Sequence, residues 1–160
     1  MIEIRSFTAP YAEGVVALIL PIQQAEFGIP VTLLDQPDLK DITGFYQHGN
    51  GNFWLALDGG EVVGTVALLD IGEQQVALRK MFVASSHRGA EHGVARHLLD
   101  TAMAWCASRR VRDVYLGSTA QFLAAHRFYE KNGFGEVARA DLPQSFPVMK
   151  VDSKFYRRAM

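Results

Sequence analysis

Residues 76–99 constrain this chain more than any other stretch. Val76–Ala84 is an apolar run, SSHRGAEHG (85–93) is a basic loop carrying two glycines, and an amphipathic pattern follows without a break. Strand, glycine loop and helix N-terminus in that order form a cradle for a phosphate or pyrophosphate. The first-turn amides are unpaired there, the helix dipole favours anions, and glycine lets a ligand approach the backbone. The spacing predicts a helix over Gly93–Arg109, with Val94, Ala95, Leu98, Leu99, Ala102, Met103 and Cys106 on one face.

The flanking segments supply the remaining elements. Ile2, Ile4 and Phe7 alternate with polar residues, as in a short strand. Pro10 opens a helix expected to reach Leu20 or beyond, with Pro21 as its kink or end. Asp38 is placed as the cap of a short helix, Leu39–Gln47, and 48–52 (HGNGN) as a loop. Phe53–Leu57 and Glu61–Leu69 read as strands joined by Asp58-Gly59-Gly60, a hairpin signal. Val111–Leu116 reads as a buried strand, and Ala120–Lys131 as a helix closed by Asn132-Gly133. Strands are expected at Phe134–Ala138 and Val148–Phe155. Antiparallel hairpins followed by strand–helix–strand–helix–strand predict an α+β fold around one mixed sheet, in a single domain over 1–160.

Composition narrows the partners. The 160 residues carry a net charge of −1, so no general attraction to nucleic acid is expected. The longest apolar run, Val15–Leu20, is too short to span a membrane, and the opening MIEIRSF lacks the pattern of a signal peptide. The lone cysteine, Cys106, excludes an internal disulfide and fits a reducing cytoplasm. No metal-ligand spacing is assigned. GAEHGVA (89–95) lacks the G-x-G-x-x-G spacing of a dinucleotide fold. The aromatic pair Phe155-Tyr156 near the C-terminus is a candidate homodimer surface.

Two segments resemble a known family. RGAEHGVARHLL (88–99) is similar to the coenzyme A pyrophosphate loop of the GNAT (general N-acetyltransferase) superfamily, and FLAAHRFYEKNGF (122–134) to its second signature. The resemblance implies a mixed sheet whose two neighbouring parallel strands splay apart, flanked by helices as an α/β sandwich. It also implies acetyl-CoA as acetyl donor and an amine acceptor, most simply a small molecule. A protein or peptide amine and a non-catalytic acyl-CoA-binding module are the alternatives. The loop departs from the family form: Glu91 falls where glycine is usual, and two residues are inserted before the helix.

Carried residue by residue, the resemblance implies a pantetheine arm paired with Met81, Phe82 and Val83, with a backbone amide near Phe82 on the thioester oxygen. Arg88, Gly89, Ala90, Gly93, Val94 and Ala95 would meet the pyrophosphate, and Arg127 a phosphate of the coenzyme. Tyr129 takes the general-acid position. Ala77 stands near the place of the family's usual basic glutamate, leaving Glu73, Glu26 and His126 as candidate bases, while an amine that loses its proton to bulk water would need none. Phe122 replaces an asparagine that often contacts the cofactor, with Ser118 or Thr119 as compensation. Of Arg79 and Lys80, one is expected to point away from the core. The acceptor pocket is expected from 23–34, 53–55 and 142–149.

Overall fold

The computed structural model describes residues 1–160. Seven strands form one sheet in the order β1 (Ile2–Ser6), β2 (Asn52–Asp58), β3 (Glu61–Gly72), β4 (Gln75–Val83), β5 (Asp113–Ser118), β7 (Lys154–Ala159), β6 (Gly135–Val137). Every neighbouring pair is antiparallel except β4 and β5, which run parallel. The β2–β3 turn needs two left-handed residues to match strand twist, and Gly59 and Gly60 supply them with φ of 58° and 85°.

Helices cover both faces. α1 (Ala12–Pro21) runs on into a single wide turn, Ile22–Glu26, closed by the Phe27 amide on the Ile22 carbonyl at 3.1 Å. Pro21 offers no amide to the helix ladder, and the chain widens just past it. α2 (Pro37–Lys40) and α3 (Ile42–Tyr46) follow on the same face. Here the expected cap is corrected: Asp41, not Asp38, caps the helix, its carboxylate accepting from the Gly44 amide at 3.0 Å. Asp38 is buried and takes the Tyr46 hydroxyl at 2.5 Å.

α4 (Val94–Ser108) and α5 (Leu123–Lys131) cover the opposite face. The α4 stripe packs on Trp54, Val63, Val66 and Leu68 of the sheet. Gly64 of β3 makes this close approach possible, since a Cβ there would lie 2.9 Å from Leu98 Cδ1 and 3.2 Å from Val94 Cγ1. Gly133 ends α5 with φ of 89°.

Two expectations near the C-terminus fail. The last strand begins at Lys154, because 148–153 is a turn held by Asp152. Phe155 and Tyr156 are both buried, one on each face of β7, and offer no surface for a dimer. No helix is long and apolar enough to cross a membrane.

Filling the α4 contact is expected to cost stability. Gly64→Ala should lower unfolding free energy by about 1–3 kcal/mol through overpacking. Gly135→Ala, whose Cβ would meet nothing within 4 Å, should leave the urea midpoint unchanged.

Candidate active site

β4 and β5 part company after three residue pairs. Their ladder covers Gln75–Ala77 against Asp113–Tyr115 and then ends. Three residues farther along β4, Lys80 adopts φ of 54°, and the register with β3 slips between Ala67–Arg79 and Thr65–Phe82. This is a β-bulge, which bends and twists the strand that carries it. The Thr65 hydroxyl fixes it by donating to the Lys80 carbonyl at 2.6 Å. A cleft of about 1220 Å³ opens between Leu78–Val83 on one side and Leu116–Thr119 on the other.

The bulge also sets which backbone groups face the cleft. Ala84 donates to Val63 of β3, and Phe82 stands opposite Thr65 in the same ladder. By strand alternation the Phe82 amide therefore turns toward β3, and those of Met81 and Val83 turn to the open edge. The amides that the open edge offers near Phe82 are therefore those of its two neighbours.

The loop at the cleft's end is a closed turn. Gly89 (φ 101°) and Gly93 (φ 66°) both need the left-handed region, and the His92 and Gly93 amides each reach the Gly89 carbonyl at 3.2 Å. The turn spans Gly89–Gly93, and α4 starts at Val94. Arg88, Gly89, Ala90, Gly93 and Ala95 line the cleft. Val94 does not: its side chain is core, so only its backbone can serve a ligand. The Glu91 side chain is 85% exposed and points to solvent. His87 bonds Asp58 at 2.8 Å and Ser86 at 2.7 Å, which ties the loop's start to the β2–β3 turn.

Arg88 is engaged elsewhere. Its Nε donates to the Val83 carbonyl at 2.9 Å, and its guanidinium forks onto Glu26, with Nη2 to Oε1 at 2.8 Å and Nη1 to Oε2. That bond holds Glu26 below the usual glutamate range, so Glu26 is a poor proton acceptor. Two other candidate bases are also displaced. Glu73 sits exposed in the β3–β4 turn, roughly 23 Å along the strand from the bulge. His126 is buried behind the cleft wall, where its ring bonds the Ser118 hydroxyl at 3.0 Å and burial lowers its proton affinity.

Tyr129 lines the cleft from α5. Burial alone pushes its hydroxyl above the ordinary tyrosine value. Its ring stands edge-on to Phe134 at 5.6 Å. Arg127 and Lys131 stand exposed at the rim. Phe122 meets Phe27 at 4.7 Å and Phe82 at 6.4 Å, making an apolar wall. Ser118 is occupied by His126, whereas Thr119, 4% exposed, leaves its Oγ1 without a partner. Of the two, Thr119 is the one whose hydroxyl is buried without a partner.

Of the segments expected to build an acceptor pocket, only some reach the cleft. Gln23, Phe27, Ile29, Phe146 and Met149 line it, but 53–55 does not, since Phe53, Trp54 and Leu55 are core. The bulge brings the neighbours Arg79 and Lys80 to one place, and both approach Asp38, at 3.8 and 3.5 Å. Neither is left free in solvent, contrary to the alternation expected of a regular strand. Lys80 Nζ also donates to Gln36 at 2.5 Å, and Gln36 pairs with Gln23 at 3.0 and 2.9 Å. The adjacent Arg-Lys within an apolar strand was the available signal for this network. Asp152, which also lines the cleft, had none.

A parallel strand pair that opens around a bulge, with a glycine turn and helix N-terminus at its end, is the architecture of an acyl-CoA-dependent transferase site. The model of the acetyltransferase (GNAT) family matches residues 17–134, and the chain belongs to that family. It superposes on the crystal structure of a GNAT-family acetyltransferase from Staphylococcus aureus MU50 with a TM-score of 0.95 and 38% identity over 99% of each chain. It is 36% identical over 104 residues to N-acetyltransferase family 8 member 2 of Rattus norvegicus, covering 62% of this chain and 45% of that one. N-acetylaspartate synthetase of Xenopus tropicalis is 37% identical over 102 residues, which is 62% of this chain and 37% of that protein. The chain thus spans less than half the length of these curated relatives.

One consequence concerns the thiol. Burial pushes Cys106 up to about 12, and it lies in the core on the buried face of α4. A thiol-reactive dye at neutral pH is expected to leave the native protein unlabelled and to titrate one cysteine after urea unfolding. Native labelling would mean that α4 opens.

Proposed function

We propose that the protein is an acetyl-CoA-dependent N-acetyltransferase acting by direct attack on a primary amine, most simply that of a small molecule. The observation that carries this reading is the pair of backbone amides, Met81 and Val83, turned to the open edge of a split parallel sheet. Acetyl-CoA supplies an activated acetyl thioester, and its extended arm suits pairing with an exposed strand edge. The fit is supported by the glycine turn at 89–93, by the helix N-terminus at Val94, and by the unpartnered Thr119 hydroxyl in the cleft wall.

Each residue then has a task. An amide of the open β4 edge donates to the carbonyl oxygen as negative charge develops on it. Tyr129, neutral and partly walled off from water, gives its proton to the departing sulfur. A tyrosine kept protonated by burial suits an acid that must deliver its proton only late. Arg88 meets a pyrophosphate only by exchanging its bond to Glu26, so loading of the loop is expected to release the segment that borders the acceptor side.

The test is thiol release from acetyl-CoA with a panel of amines, amino acids and peptides. A sustained release with a small amine is expected. Release with peptides alone would shift the acceptor class, and coenzyme binding without any release would leave only a binding module. Tyr129→Phe should lower kcat by roughly 10²-fold while coenzyme affinity by calorimetry stays unchanged. Full turnover in that variant would remove Tyr129 from the mechanism.

A further inference from the structure

The mechanism above lacks a group that frees the attacking amine of its proton. We propose that Asp152 is that base and that it binds the acceptor ammonium from the face of the sheet opposite Tyr129. This rests on the acetyl-transfer reading of the same cleft.

The placement follows from register. Gly117 pairs with Phe155, and Phe155 packs with Phe146, Ala77 and Tyr115 on one face of the sheet. Leu116 pairs with Tyr156, and both pack with Tyr129 on the other face. A Cβ on Gly117 would lie 2.5 Å from Asp152 Oδ2, so the carboxylate occupies the space on the Phe146 face that a side chain would fill. Gly117 belongs to the stretch of β5 that lines the cleft beyond the last β4–β5 pair. Asp152 and Tyr129 therefore flank the split from opposite sides, one toward the acceptor segments and one toward the coenzyme loop.

The position is fixed by backbone. Ser153 donates to the Ser118 carbonyl at 2.8 Å, and the Met149 amide donates to Asp152 Oδ2 at 2.8 Å. One carboxylate oxygen is held and the other is left for a ligand. The charged groups facing it are Arg79 and Lys80 of β4 and Arg139 of the turn after β6, all of which favour its ionised form. Asp38 of α2 binds the first two. Burial outweighs them and raises the Asp152 proton affinity above the ordinary aspartate value, which makes it a better base than a surface carboxylate.

The protons balance. The carboxylate takes one proton from R–NH3⁺, and the freed amine attacks the thioester carbon. The C–S bond breaks, and the sulfur takes the Tyr129 proton. The amide nitrogen returns its surplus proton to the Tyr129 oxygen, and Asp152 releases its own to solvent. The sum is one amide, one thiol and one proton.

Asp152→Asn separates this role from a structural one, because asparagine keeps the oxygen that accepts from Met149. With a thiol-releasing amine, the wild type should show kcat/KM rising along an acidic limb. Asp152→Asn should lose that limb and fall by roughly 10²- to 10⁴-fold, with coenzyme affinity and unfolding midpoint unchanged, and Asp152→Glu should recover part of the rate. Wild-type rates and an intact limb in Asp152→Asn would overturn the proposal and leave the acetyl-transfer reading standing. No thiol release by the wild type with any amine would overturn both.

Discussion

The site depends on one hydrogen bond, from the Thr65 hydroxyl to the Lys80 carbonyl. It fixes a left-handed lysine inside a strand, a conformation that persists only where surrounding structure enforces it. Three consequences follow from that one residue. β4 bends away from its parallel neighbour, Arg79 and Lys80 come to share Asp38, and the Met81 and Val83 amides face an open edge. A regular strand at this place would continue the ladder with β5 and leave no cleft. Thr65 itself is fully buried, which removes water as a competitor for its hydroxyl.

Charge is arranged around the cleft as paired groups. Arg88 is held by Glu26, and Arg79 and Lys80 approach Asp38, so the cationic side chains of the loop and acceptor side already have protein partners. An anionic ligand gains from such a site by exchange, replacing a carboxylate that then becomes free. The Glu26–Arg88 bridge joins the wide turn after α1 to the loop before α4, so the acceptor side and the proposed coenzyme side are in direct electrostatic contact. The assignment of Tyr129 to proton transfer rests on its match to the family's second signature and its place in the cleft, and that of Asp152 on its place on the opposite face of the split.

Much of the fold was legible because local chemistry dictated it. Gly59-Gly60 marked the hairpin, Gly93 the start of α4, and Asn132-Gly133 the end of α5. Apolar patterning placed β2, β3, β4 and α4. The failures have physical causes. Asp38 reads as a helix cap in isolation, yet Tyr46, Arg79 and Lys80 draw it into the core, and Asp41 caps instead. Phe155 and Tyr156 look like surface aromatics at a chain end, but β7 inserts between β5 and β6 and buries both. The bulge carries no residue signature, since a lysine seldom adopts φ of 54° and the Thr65 bond that enforces it comes from another strand. Asp152 was invisible for the same reason: its place over Gly117 is a tertiary fact.

Amide hydrogen exchange of β4, measured with and without saturating coenzyme A, tests the open-edge geometry most directly. Slowed exchange at Met81 and Val83 on coenzyme binding is expected, with Phe82 slow in both states because it bonds β3. Unchanged exchange at Met81 and Val83 with the coenzyme bound would contradict the role given to the split between β4 and β5.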